Sequence, residues 1–178
     1  MKSSKKLAVV GLLAALICVA APFSVPIGLV PVSLATFAIY IVAAVYDYRA
    51  AVIAVLIYIA LGACGVPVFS GFRGGAQVLA GATGGYIVGY IFLALTEGLI
   101  IDKFENKIFA YPIAMIFGTA VLYAFGTAWF IIIMKTSFVA ALATCVLPFL
   151  IFDALKIAAA TAISLPLRRA VKKVAVKA

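Results

Sequence analysis

The sequence predicts an all-α integral membrane protein, a bundle of six transmembrane helices with both termini cytoplasmic and structured extracellular loops. Three observations predict it. Of 178 residues, 68% are hydrophobic and 11% charged, and the mean hydropathy is +1.33, more apolar surface than a soluble chain of this length can bury. The apolar stretches are continuous and long enough to cross a bilayer, which argues against the alternation of a β-barrel. The positive charges are distributed with a strong bias, described below. No linker or low-complexity stretch divides residues 1–178, so one membrane domain is expected, and no internal repeat points to an inverted-repeat transporter.

The spans follow in order. The first runs from about Leu7 to Ala21 and ends at Pro22; the second from about Ile27 to Tyr46; the third from about Arg49 to Cys64, stopping at Gly65-Val-Pro67. The fourth covers about Thr83 to Ile101 and the fifth about Ile108 to Met134. The sixth begins at Pro148, a residue suited to a first helical turn, and ends near Leu167. This count puts Lys2, Lys5, Lys6, Arg49, Lys103, Lys107, Arg168, Arg169, Lys172, Lys173 and Lys177 on one side, and only Arg73 and Lys135 on the other. The positive-inside rule makes the eleven-charge side cytoplasmic. A basic start and an apolar run resemble a signal peptide, but Pro22-Phe-Ser-Val-Pro offers no small-x-small cleavage site. The outer connections are the richer ones. Residues 22–31 hold Pro22, Pro26, Gly28 and Pro31; residues 65–85 are glycine-rich; and Thr136 to Leu147 is apolar but too short to span, fitting a helix at the outer surface. Irregular backbone at membrane depth is tolerated where it lines a cavity, so these loops are expected to form a lid or mouth.

Several function classes are excluded. The chain has no His, its three cysteines (Cys18, Cys64, Cys145) are isolated, and it has neither a zinc-type spacing nor a Walker A motif. No metal site, no cofactor and no enzymatic activity are expected. The net charge of +9 flanks the spans rather than forming a patch for nucleic acid.

The informative anomaly is Pro148-Phe-Leu-Ile-Phe-Asp153-Ala-Leu-Lys156. Positions i and i+3 share a helix face. Each charge would cost about 2.5–3.5 kcal/mol in hydrocarbon, so the pair is expected to face a cavity or each other. The plainer reading is an ion pair that only fixes packing, and buried pairs are weak evidence for stability. Glu97, near the cytoplasmic end of span four, is expected to reach the interface. Asp47, Asp102 and Glu105 are expected in cytoplasmic turns.

Four stretches together resemble the BioY family, the biotin-specific substrate-binding (S) components of energy-coupling factor (ECF) transporters. They are Tyr58-Ile-Ala-Leu-Gly62-Ala-Cys-Gly65-Val-Pro67-Val-Phe69, Gly81-Ala-Thr83-Gly84-Gly85-Tyr86, Pro148-Phe149 followed by Asp153-x-x-Lys156, and Val30-Pro31-Val-Ser-Leu-Ala-Thr36. Ala82 stands where that family has proline and Ala35 where it has glutamine. The resemblance implies a high-affinity biotin-capture subunit in the cell membrane, partnered by an ECF module of a transmembrane coupling subunit and two ATPases.

Biotin offers two ureido N–H donors, a carbonyl acceptor, an apolar thioether ring and a carboxylate. On that ligand, Asp153 accepts from a ureido N–H, while Lys156 donates to a ligand oxygen and keeps Asp153 ionised. Arg73, with guanidinium geometry suited to a bidentate contact, meets the carboxylate; its plainer reading is a solvated loop arginine. Thr83, Gly84, Gly85 and Tyr86 open span four, where close backbone approach and unpaired N–H groups suit a ligand oxygen and where glycine equally suits tight packing. Phe69 and Gln77 lie in the glycine-rich loop, with Phe69, Tyr123 and Trp129 as candidate walls. Gly11, Ala14, Ala15 and Cys18 form a small-residue stripe on span one, read as the contact with the coupling subunit or as internal packing. Competing readings are an S component for another vitamin, an autonomous proton-coupled carrier using the charged pair, and, weakest, an intramembrane enzyme.

Overall fold

The computed structural model describes residues 3–27, 30–104 and 107–177; Lys2, Gly28 and Glu105, used above, lie outside them. The chain is mostly helical. In order it forms α1 (Ser3–Ala20), β1 (Ser24–Ile27), β2 (Val30–Ser33), α2 (Ala35–Val45), α3 (Tyr48–Ala63), α4 (Ala76–Ala80), α5 (Gly84–Lys103), α6 (Ala110–Met134), α7 (Phe138–Cys145) and α8 (Leu147–Lys177). Three segments of the described residues are long and apolar enough to cross a membrane: α5, α6 and the α7–α8 run Phe138–Val171. Three shorter apolar helices accompany them, Lys6–Ala20, Ala35–Val45 and Tyr48–Ala63.

The expected second span is shorter than read, and the fold is not purely helical. Residues that were expected to begin that span form an antiparallel hairpin, with Val25 opposite Val32 and Pro26 opposite Pro31. Proline lacks the N–H a helix interior needs, whereas two facing prolines ask nothing of each other at that rung. Helix α2 therefore starts only at Ala35, where the Ser33 hydroxyl oxygen accepts from the Ala35 N–H at 3.1 Å. At 11 residues α2 is about 16 Å long, too short to cross hydrocarbon alone. Ten of those residues are buried, which makes α2 the axis of the bundle. Ala35, Ala38, Ala43 and Ala44 let α8, α5, α1 and α3 pack closely round it.

At the end that carries the hairpin, here the loop end, the glycine-rich stretch is compact. Gly75 N–H donates to the Gly62 carbonyl at 2.6 Å, Gly71 N–H to Pro22 at 2.9 Å, and Phe69 and Arg73 exchange both backbone bonds at 2.9 and 3.2 Å. Gly71 and Phe72 take the left-handed conformation (φ 72° and 57°) that this reversal requires. Phe72 meets Phe23 edge-on at 5.6 Å. Lys135, also left-handed (φ 50°), ends α6 just past Met134, where the fifth span was expected to end.

The opposite end is tied by a buried arginine. Arg168 donates to the Ala44 carbonyl at 2.7 Å and to Asp102 at 2.8 Å, and Asp102 also accepts from the Tyr48 N–H at 3.1 Å. Arg168 thus joins α8 to the ends of α2 and α5, and Asp102 adds the start of α3. Asp47 caps α3 by accepting from Ala50 N–H at 2.8 Å. Helix α8 runs past Leu167, where it was expected to end, to Lys177 with Pro166 inside it. Glu97 does not reach an interface: it is fully buried. Six residues, about 9 Å of helix, still separate it from the last residue of α5.

Candidate ligand-binding cavity

A cavity at the loop end encloses about 600 Å³ of space between atoms, part of it open to the outside. Its floor is polar. Asp153 and Lys156 project from one face of α8, with Lys156 Nζ 3.0 Å from Asp153 Oδ1. Thr36, on the first turn of α2, stands between them: its hydroxyl oxygen accepts from Lys156 Nζ at 3.0 Å and its O–H donates to Asp153 Oδ1 at 3.4 Å. The other carboxylate oxygen accepts from the Tyr123 hydroxyl of α6 at 2.5 Å. Asp153 is 4% exposed.

The cluster is neutral overall, which is how two charges are kept in an apolar bundle. It is also incompletely used. A lysine has three donors, and two are engaged. A carboxylate has about four acceptor positions, and three are engaged. One N–H of Lys156 and one lone pair of Asp153, on Oδ2, remain unengaged among the described residues, a donor and an acceptor on one cavity floor that suit a ligand carrying both an N–H and a carbonyl.

The walls are largely apolar and aromatic. Phe69, Tyr86, Ile87, Tyr90, Leu122 and Phe149 contribute to them, with Cys145 from the end of α7. Tyr86 is held by Thr127 at 2.9 Å and donates to the Cys145 carbonyl at 3.5 Å. Phe69 is locked edge-on against Tyr58 at 5.5 Å and lies so close to Gly62 that a Cβ there would sit 2.1 Å from its ring. Arg73 lies at the exposed mouth, where Nε donates to the Ser70 carbonyl at 3.0 Å. The rest of its fork is free to meet an anion.

The structure brings Asp153, Lys156, Arg73, Thr83, Tyr86 and Phe69 to this one cavity. It does not bring Gln77, Gly84 and Gly85 there. Gln77 donates to the Gly74 carbonyl at 3.0 Å and lines an adjoining outer groove with Gly74 and Gly81, which shares Arg73, Val78 and Thr83 with the cavity. Gly84 lies against the Leu79 backbone and Gly85 against Trp129, so both glycines serve close packing at the start of α5. Trp129 is not a wall of the cavity; its indole N–H holds the Gly81 carbonyl at 3.1 Å and fixes the turn before α5. Ala35 is fully buried and outside the lining of the cavity. Thr36, Ser33 and Tyr90 were not singled out from sequence.

The small-residue stripe of α1 divides. Ala14 is 3% exposed and packs inward with Val10, Leu13 and Ile17, so it is not available to a partner. Gly11 and Ala15 are exposed and Cys18 is half-buried. The outward face carries Leu7, Leu12, Leu16 and Val19 around them.

Comparison with known proteins is consistent across three levels. A family model described as the BioY family matches residues 1–173. The biotin transporter BioY of Thermotoga maritima is 38% identical over 161 residues, covering 89% of this chain and 93% of that one. BioY2 of Lactococcus lactis subsp. cremoris, also a biotin transporter, is 33% identical over 164 residues, covering 92% and 90%. The 2.1 Å crystal structure of the S-component for biotin from an ECF-type ABC transporter superposes with a TM-score of 0.86. It is 24% identical, with 97% of this chain and 95% of that chain covered, and it establishes the shared fold.

Proposed function

Because the chain belongs to the BioY family, whose members are membrane transport proteins rather than enzymes, we propose that it is the biotin-capturing S component of an ECF-type transporter. The observation that carries this reading is the spare donor–acceptor pair on Asp153 and Lys156 at the floor of the cavity. A cyclic urea presents the complementary edge: its N–H donates to Asp153 and its carbonyl oxygen accepts from Lys156. Phe69, Tyr86 and Phe149 supply the apolar wall for the thioether ring, and Arg73 at the mouth takes the carboxylate.

In this reading the chain crosses the cell membrane six times with both termini cytoplasmic, and the loop end faces outward. The three long apolar helices and three shorter ones support that count, and the eleven-to-two charge bias supports the orientation. Energy comes from an ECF module of a coupling subunit and two ATPases, met by the outward face of α1 around Gly11 and Ala15. Titration calorimetry on the purified protein in lipid discs tests the ligand. Tight saturable heat with biotin, together with thermal stabilisation, is expected. A protein that gives neither heat nor stabilisation is not a biotin S component, and a competition panel of other vitamins then finds its ligand.

A further inference from the structure

The strongest unexplained group in the bundle lies outside the cavity. Glu97 is fully buried, and among the described residues neither of its carboxyl oxygens has a hydrogen-bond partner. It shares the buried face of α5 with Tyr86, Tyr90, Ala94 and Ile101. Along that face it is seven residues, about 10 Å, below the cavity residue Tyr90, and five residues, about 7.5 Å, from the Asp102 that holds Arg168. Glu97 therefore lies between the cavity and the tie that joins the helices at the opposite end.

Among the described residues, the elements packed round it bring no counter-charge. From α6, Gly118 lies against its Cβ, at 3.5 Å from an ideal glycine Cβ. From α2, the buried side chain nearest in kind is Tyr40, which carries a hydroxyl and no charge. That hydroxyl is committed elsewhere. Thr119 donates to the Met115 carbonyl at 2.7 Å, so its oxygen takes the Tyr40 proton at 2.5 Å. From α3, Tyr48 presents its backbone and Cβ against Gly98, and its hydroxyl accepts from Arg49. Two cations of α8 that lie inside the bundle are engaged elsewhere, Lys156 with Asp153 and Thr36, and Arg168 with Asp102 and Ala44. An ionised carboxylate in such a place has nothing to balance it, and a buried charge without a partner gives up its charge instead.

We propose that Glu97 is a proton-binding site, a neutral carboxylic acid sealed inside the closed bundle, which exchanges its proton with water only when the Arg168 end opens. The step is a simple dissociation: the O–H bond breaks, the proton passes to water and the carboxylate is solvated; resealing reverses it. The substrate cycle is then linked to one proton at a residue that does not touch the substrate. That link rests on the proposed role as an ECF subunit; the proton site itself does not.

Infrared spectroscopy of the full chain in lipid discs at neutral pH tests the site without any ligand. A protonated-carboxyl carbonyl band is expected in the wild type and in Asp153→Asn, and its loss is expected in Glu97→Gln, an isostere of the neutral acid. A wild-type spectrum without that band, or a band that survives Glu97→Gln, overturns the proposal. In heavy water the band reports sealing. Slow deuterium exchange is expected in the resting protein, and faster exchange when the assembled transporter hydrolyses ATP with biotin present. Equal exchange rates in the two states overturn the link to the cycle, and fast exchange at rest overturns the seal.

Discussion

Replacing Asp153 with asparagine separates the roles of charge and shape on the cavity floor. The side chain keeps its size, but the carboxylate that accepts from Lys156, Thr36 and Tyr123 becomes an amide with one acceptor and one donor end. Turned so that its oxygen serves Lys156 and Thr36, the amide presents N–H where the ligand previously found a lone pair. A hydrogen bond to a charged group is worth about 1.5–3 kcal/mol, which corresponds to an increase in Kd of about 10- to 150-fold. Lys156 also loses its counter-ion while its side chain is only 12% exposed. Breaking a buried pair in this way costs about 3–5 kcal/mol of stability. Calorimetry with biotin and thermal unfolding read the two effects on one sample. The double variant Asp153→Asn, Lys156→Met removes the stranded charge, so it regains stability without regaining affinity. An unchanged Kd in folded Asp153→Asn, or affinity restored in the double variant, refutes a direct contact between Asp153 and the ligand.

Arg73→Ala weakens biotin binding by about tenfold, the order expected for one exposed charge-assisted contact, and leaves binding of biotin methyl ester unchanged; equal losses for both ligands remove the carboxylate from Arg73. Gly62→Ala drives a Cβ into the Phe69 ring at 2.1 Å, with the ring pinned by Tyr58. It lowers stability by about 1–3 kcal/mol in denaturant unfolding and reduces affinity as well, because Phe69 is a cavity wall. Arg168→Leu strands Asp102 and the Ala44 carbonyl at the far end. Since Asp102 is 28% exposed, the cost is below that of a fully buried pair, about 2–4 kcal/mol, and biotin affinity is retained.

The parts of the fold most legible in the sequence were those where physics leaves one reading. The runs forming α5 and α6 are too long and too apolar for anything but a helix at membrane depth, and Pro148 falls within the first turn of α8, as a helix-start proline should. The hairpin was not legible, because Val, Ile and Pro in residues 24–33 look equally apolar whether they begin a span or pair as strands. Asp153 and Lys156 stood out because charge is costly in oil. Thr36, which bridges them, did not, because a hydroxyl is an inexpensive helix residue whose role depends on the 117 residues that separate it in sequence from Asp153. Gly84 and Gly85 show the opposite difficulty. A glycine that admits a ligand and one that admits Leu79 or Trp129 leave the same mark in sequence, and only the packing tells them apart. Glu97 was misplaced because the depth of a residue on α5 depends on where neighbouring helices end.

The most direct test of the account is a structure of this protein with biotin bound. The account predicts the ureido ring on the cavity floor, with an N–H within hydrogen-bond distance of Asp153, the carbonyl oxygen beside Lys156 Nζ, and the carboxylate toward Arg73. Biotin bound in the reverse sense, or at a site that leaves the Asp153–Lys156–Thr36 cluster untouched, contradicts it.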